Sequence, residues 1–347
     1  MRWFLGLLLV IALVMGVLYG VGRFLLPNDL AVTSTTTIER PRAAVFAMSN
    51  DLRIAREWSP YYAMDPDAQY TFSGEDPGAG QTMRWTSTVR RVGTGRVSIV
   101  DSIENEQIES ILELDDRATL NARMVFQRGA AGVTNVAWTV SATCSEGWIN
   151  VPCRYMNLIL RGMIAQDLND GLARLKTLSE QLPNVDFENL NPMFDVVEPQ
   201  NFVYSVVETS ATNLEEITRA EERGIAQVRD FMGGYGLIQA GPLVRVVTQF
   251  DREADRMSFR VGYPFTGPTP LSVVGVQIGQ TPSGRAMHVL VEGNRAQVQA
   301  AYAQMYAYLQ AHRVPLRENG LPWELVHQAG GGEEGLPTRL EIFMPLQ

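Results

Sequence analysis

The sequence almost lacks lysine. Of its 29 basic residues all but Lys176 are arginine, and 38 acidic residues outnumber them, for a net charge of −9. The arginine bias reads as the codon signature of a GC-rich genome and carries no mechanism. The acidic balance, with no basic patch, argues against nucleic acid as a partner of the soluble part. Histidine is scarce too: His288, His312 and His327 stand in no triad and no metal-ligand spacing. No Gly-x-Ser-x-Gly, phosphate-binding loop or dinucleotide fingerprint occurs. Cys-x-x-Cys is missing, which argues against structural zinc. No metal and no cofactor is expected. The two cysteines, Cys144 and Cys153, fit either a disulfide in an oxidising compartment or two separate thiols.

What the chain has is length and apolar residues. Its 347 residues are 46% hydrophobic, enough for two cores of about 150 residues each. One apolar run stands apart. From Trp3 to Gly22 no residue is charged, Arg2 and Arg23 bracket the run, and Phe24-Leu25-Leu26 prolongs it. A helix of about twenty such residues spans the roughly 30 Å of a bilayer core. Trp3 and Tyr19 suit the interfacial aromatic belt. The run is long for a signal peptide and no small-x-small cleavage site precedes its end. Residues 3–26 are therefore expected to be an uncleaved membrane anchor. The expected location is a bacterial inner membrane, crossed once, with the soluble part in the periplasm.

Residues 30–182 read as one domain. Ala31 to Arg40 is a Thr- and Val-rich strand, Pro41 opens a helix to Asn50, and Asp51 caps a second that Pro60 stops. Six strand-like runs follow: 69–73, 81–88, 95–104, 107–114, 119–127 and 134–143. Arg154 to Gln181 then has helical spacing at Leu158, Met163, Ile164, Leu168, Leu172, Leu175 and Leu178. The expectation is an antiparallel sheet gripped by a long C-terminal helix. Trp138 and Trp148 are expected in the core.

Several segments together carry a resemblance. Val45-Phe46, Glu57-Trp-Ser-Pro60, the loop Gly74 to Gly80, Met83-Arg-Trp85, Asn135-Val-Ala-Trp138 and Gly171-Leu-Ala-Arg-Leu-Lys176 resemble the polyketide cyclase/dehydrase branch of the START-like (SRPBCC) helix-grip fold. The resemblance implies an apolar cavity between helix and sheet and implies no catalysis. Trp58, Tyr61, Trp85, Phe126 and Met163 are the candidate walls.

Residues 183–194, rich in turn formers and acids, read as a linker. Residues 195–347 contain a repeat. Phe202 to Glu208 is strand-like, Glu215 to Met232 helical, and 244–250 with 257–262 a hairpin. Met287 to Glu292, Arg295 to His312, and 323–328 with 339–344 repeat that order, the last hairpin turning at Gly330 to Gly335. Pro242 aligns with Pro322 and Pro264 with Pro345. The fold class expected is α+β, with two strand–helix–strand–strand units about a pseudo-twofold axis and a ligand cleft between them. Aligned on Pro242 and Pro322, Leu243-Val244 answers Trp323-Glu324, an asymmetry that suits a site.

This repeat is similar to the GyrI-like effector-binding domain of AraC- and MerR-type regulators. The similarity rests on Val196-Val-Glu-Pro199, Gly241-Pro242, Arg260-Val-Gly-Tyr-Pro264, Pro282-Ser-Gly-Arg285, Gly293, Tyr302, Tyr306, Gly320-Leu-Pro-Trp-Glu324 and Glu341-Ile-Phe-Met-Pro345. In that family an acid after the second-repeat proline meets cationic, apolar ligands. The resemblance implies that role for Glu324, beside Trp323, with Tyr204, Tyr263, Tyr302 and Tyr306 as walls. No DNA-binding helix-turn-helix is read, so a regulatory role is not implied. The expected function is binding of apolar or cationic-amphiphilic molecules at a membrane, for sensing, sequestration or lipid handling. The alternative is a hydrolase or cyclase that uses Glu324 as general base.

Overall fold

The uncharged run forms helix α1 (Arg2–Phe24), and its stretch Gly6–Phe24, of mean hydropathy 2.2, is exposed almost throughout. By length and composition this helix can cross a bilayer. The computed structural model describes residues 2–115, 118–145, 147, 150–271, 274–328 and 338–347. Trp148 and the turn Gly330 to Gly335 lie outside them. The chain is α+β, with seven α-helices and two antiparallel sheets among the described residues, and it divides into units 1–188 and 189–347.

In the first unit β1 (Asp29–Ile38) leads to α2 (Arg42–Asn50), α3 (Leu52–Ala55), a 3-10 turn at Arg56–Trp58, and α4 (Pro60–Met64). Pro41 starts α2, and the Asp51 carboxylate accepts from the Arg53 amide to cap α3. The sequence reading made Pro60 a stop. Instead Ser59 caps a new helix and Pro60 fills its first turn, where no amide donor is needed.

Six strands follow: β2 (Gln69–Ser73), β3 (Thr82–Thr86), β4 (Thr94–Ile103), β5 (Gln107–Leu114), β6 (Ala118–Arg128) and β7 (Thr134–Thr143). The sheet order is β1-β7-β6-β5-β4-β3-β2. Helix α5 (Val151–Ser179) closes the unit, starting three residues before the periodicity suggested. Its Leu168, Leu172 and Leu175 are at most 2% exposed and bury against the sheet, each contributing roughly 2 kcal/mol. Gly171 permits the close approach, since a Cβ there would lie 2.8 Å from the Trp138 ring. Cys144 and Cys153 are joined as a disulfide, Cα to Cα 6.0 Å, which decides between the two readings of the cysteines. It pins the start of α5 to the end of β7.

The second unit begins before residue 195. Strand β8 (Met193–Val197) lies on the edge of its sheet, so part of the expected linker is strand. The sheet also holds β9 (Asn201–Thr209), β10 (Ile238–Gln239), β11 (Leu243–Asp251), β12 (Arg256–Thr266), β13 (Gln277–Gln280), β14 (Gly284–Gly293), β15 (Trp323–Gln328) and β16 (Thr338–Pro345). Its main path runs β13-β9-β12-β11-β15-β16-β14-β8. Helix α6 (Leu214–Tyr235) follows β9 and α7 (Arg295–Ala311) follows β14. Each starts at an asparagine: Asn213 accepts from Glu216 N, and Asn294 accepts from Gln297 N in a capping box. Gly236, at φ 65°, ends α6 in the left-handed region that glycine adopts without strain.

Strand alternation sorts this sheet into two apolar faces. Val203, Phe259, Val261, Met287, Ile342 and Met344 pack with Val228 of α6 and Met305 of α7. Phe202, Tyr204, Val244, Val246, Ala286, Trp323 and Phe343 form a separate cluster on the other face.

Candidate functional site

The central strands of the second sheet are β11 and β15, and their register sets Arg245 opposite Glu324. Both side chains point toward the helices. Arg245 Nη1 donates to Glu324 Oε2 at 2.6 Å, and Tyr302 Oη of α7 donates to Glu324 Oε1 at 2.9 Å. Arg245 also donates to Glu221 of α6, from Nε at 3.1 Å and Nη2 at 2.5 Å. The four side chains form one chain, Glu221–Arg245–Glu324–Tyr302. Glu324 is 6% exposed. Burial acts to lower the Arg245 pKa; Glu324 and Glu221 outweigh it and hold the guanidinium charged above its ordinary value. Burial, then the Glu324 charge, pushes the Tyr302 phenol far up, so it stays a donor.

The register also corrects the alignment of the repeat. Val244 pairs with Gly262 and Arg245 with Val261; Trp323 pairs with Phe343 and Glu324 with Ile342. If Pro264 matches Pro345, then Val261 matches Ile342 and Arg245 matches Glu324. Val244 then answers Trp323, and both lie in the same apolar cluster. The Pro242–Pro322 match is one residue off because those prolines sit in connections of different length. The counterpart of Glu324 is thus a cation, not a valine. Counted from their asparagine caps, Glu221 and Tyr302 also occupy matching positions.

The expected walls separate. Tyr302 touches Glu324, and Tyr306 lies one turn further along α7, where burial raises its pKa. Tyr263 is on the helix side, accepting from Arg229 Nη2 at 2.8 Å. Trp323 and Tyr204 are on the opposite face. Trp323 stacks on Phe343, ring centres 5.0 Å apart, and Tyr204 stacks on Phe202 and donates to Gln277 Oε1 at 3.0 Å. Adjacent residues of a strand point to opposite faces, so Trp323 cannot share a ligand contact with Glu324 on the helix side. The sequence reading missed Arg245 and Glu221. Their signal was an arginine on the inward alternation of a Val-rich strand and an acid beside the buried positions Ile217, Ala220 and Gly224 of α6.

In the first unit Trp58, Trp85 and Phe126 are buried. The Trp58 indole donates to Met48 O at 2.9 Å and sets its ring edgewise on Trp138 at 5.4 Å. Phe126 meets Phe46 edge-on at 5.5 Å. Tyr61 stacks on Trp85 at 5.2 Å; burial, then the nearby Asp167, pushes its phenol up to about 12. Met163 departs from the expectation. It is 46% exposed, on the part of α5 that precedes the buried Leu168.

No family model and no curated protein matches the chain. Solved structures with a similar fold include a START superfamily protein from Mycobacterium smegmatis, at 13% identity over 44% of this chain and 98% of that one, TM-score 0.31. A hydrolase from Listeria innocua is similar at 11% identity over 45% and 92%, TM-score 0.34. A Staphylococcus aureus protein of unknown function is similar at 8% identity over 44% and 94%, TM-score 0.36. Each likeness spans less than half of this chain.

Proposed function

We propose that the protein is a membrane-tethered binder of small molecules. In this reading α1 is the anchor, the first unit is a START-like (SRPBCC) domain that takes an apolar ligand between α5 and its sheet, and the second is a GyrI-like domain that takes a lipophilic cation. One observation carries the reading: the Glu221–Arg245–Glu324–Tyr302 array. Two carboxylates share one guanidinium, so the array keeps one net negative charge in a partly buried place. An anion there is costly without a partner, and a cation relieves the cost. Tyr302 and Tyr306 supply aromatic faces for the same ligand. The Cys144–Cys153 disulfide supports an oxidising compartment for the soluble units and hence their export.

A thermal-shift screen of lipids and lipophilic cations tests the binding reading. A ligand is expected to raise the melting temperature by about 3 °C or more near saturation. If neither class shifts it, the proposal fails.

A further inference from the structure

The first half of α5 carries an apolar stripe that the unit leaves uncovered. Pro152, Met156, Ile159 and Met163 recur at helical spacing on one side, and the last three are 52%, 66% and 46% exposed. Farther along, the same helix buries Leu168, Leu172 and Leu175. The helix therefore changes partner along its length.

The start of α5 is fastened to the end of α1. A Cβ on Gly22 would lie 2.3 Å from Val151 and 2.7 Å from the Tyr155 ring. Tyr155 Oη donates to Leu18 O at 2.6 Å. Arg154 Nη1 donates to Arg23 O at 2.8 Å and to Leu26 O at 3.1 Å, meeting carbonyls at the end of α1. The first turns of α5 thus lie level with Leu18 to Leu26. If α1 crosses a bilayer, that level is the lipid–water interface.

Charge agrees with that placement. The chain is acidic overall, yet residues 151–166 contain Arg154 and Arg161 and no acid. A helix with an apolar stripe and flanking arginines suits lipid with anionic headgroups.

We infer that the stripe Pro152–Met156–Ile159–Met163 is a lipid-docking surface that lays the start of α5 on the membrane beside the point where α1 emerges. The inference rests on the anchor reading of α1. The test uses the full chain in vesicles of phosphatidylcholine and phosphatidylglycerol, with p-benzoylphenylalanine placed singly at Leu13, Ile159 or Thr177. After irradiation, lipid adducts are read by mass spectrometry. Leu13 and Ile159 are expected to give roughly tenfold more lipid adduct than exposed Thr177. Adduct at Leu13 with Ile159 no better than Thr177 overturns the docking surface and leaves the anchor standing. Cross-linking of Ile159 to a second copy of the chain instead of lipid also overturns it. No adduct at Leu13 overturns the anchor itself, and the docking surface with it.

Discussion

Arg245 and Glu324 occupy matching positions in two strand–helix–strand–strand runs and meet each other, Nη1 to Oε2 at 2.6 Å, where the two runs join. Each is also held by its own run's helix, Arg245 by Glu221 and Glu324 by Tyr302. Apart from β10, the runs share the order strand, helix, strand, strand, and they carry opposite charge at their junction. The pair therefore welds the halves together and gives the junction its polarity.

Removing one partner leaves the other charge stranded in a low-polarity place. Arg245→Met is expected to destabilise the second unit by about 3 kcal/mol, and Glu324→Met by a similar amount. The double variant Arg245→Met/Glu324→Met is expected to lose less than either single change, because no unpaired charge remains between those two positions. Denaturant unfolding of the four proteins checks this. Additive losses would mean that the pair is not coupled.

Backbone approach makes a second prediction. A Cβ on Gly262 would lie 1.9 Å from Val203 O and 2.7 Å from Tyr204 Cα, rigid atoms of the neighbouring strand. Gly262→Ala is expected to cost about 3 kcal/mol or more. Gly233, in the last turn of α6, has nothing within 4 Å of its would-be Cβ. Gly233→Ala is expected to stabilise by about 0.5–1 kcal/mol through helix propensity. Melting temperatures moving in opposite directions would support both.

The Asp255 carboxylate gathers the turn before α6. It accepts from Thr212 Oγ1 at 2.7 Å, from Ser210 Oγ at 2.8 Å, and from the Ala211 and Thr212 amides at 3.0 Å. These bonds, those from Thr212 and Ser210 foremost, lower its pKa below the ordinary 3.8. A lowered folded value means that its stabilisation is present above the ordinary value and lost as pH falls through the folded one. Amide protection at Ala211 and Thr212, corrected for intrinsic exchange, is expected to hold above the ordinary carboxylate value and to fade as pH falls below it. Asp255→Asn should lower that protection already at the higher pH.

The disulfide gives a prediction about compartment. Protein isolated from membranes under non-reducing conditions, denatured and treated with an alkylating agent, is expected to gain no label at Cys144 or Cys153. Reduction first should add label at both, and Cys153→Ser should lower the stability of the first unit by about 2–3 kcal/mol. Full labelling without reduction would contradict export of the soluble units.

Much of the fold was legible because it rests on local patterns. Strand-like runs marked β4 to β7, and helical periodicity marked α6, α7 and the sheet-facing leucines of α5. Other features depend on distant partners. Strands β8 and β13 are short edge strands, stabilised by β14 and β9, with no strong signal of their own. Pro60 reads equally as a helix end or a helix start, and the Ser59 cap decided it. Of the site, Glu324 and Tyr302 were legible and do meet. Arg245 was not, because a single arginine in a strand reads as a surface residue until the register shows what it faces. Trp323 misled because its neighbour in sequence points to the other face.

The most direct test of the account is charge selectivity at Glu324. Tetraphenylphosphonium and tetraphenylborate have nearly the same shape and opposite charge. Calorimetric titration of the wild-type chain and of Glu324→Gln with both ions separates charge from apolar contact. The account predicts that the wild type prefers the cation by roughly tenfold or more and that Glu324→Gln loses most of that preference while keeping its fold. Equal binding of the two ions, or a cation preference that Glu324→Gln leaves intact, would contradict a cation site built on the Glu221–Arg245–Glu324–Tyr302 array.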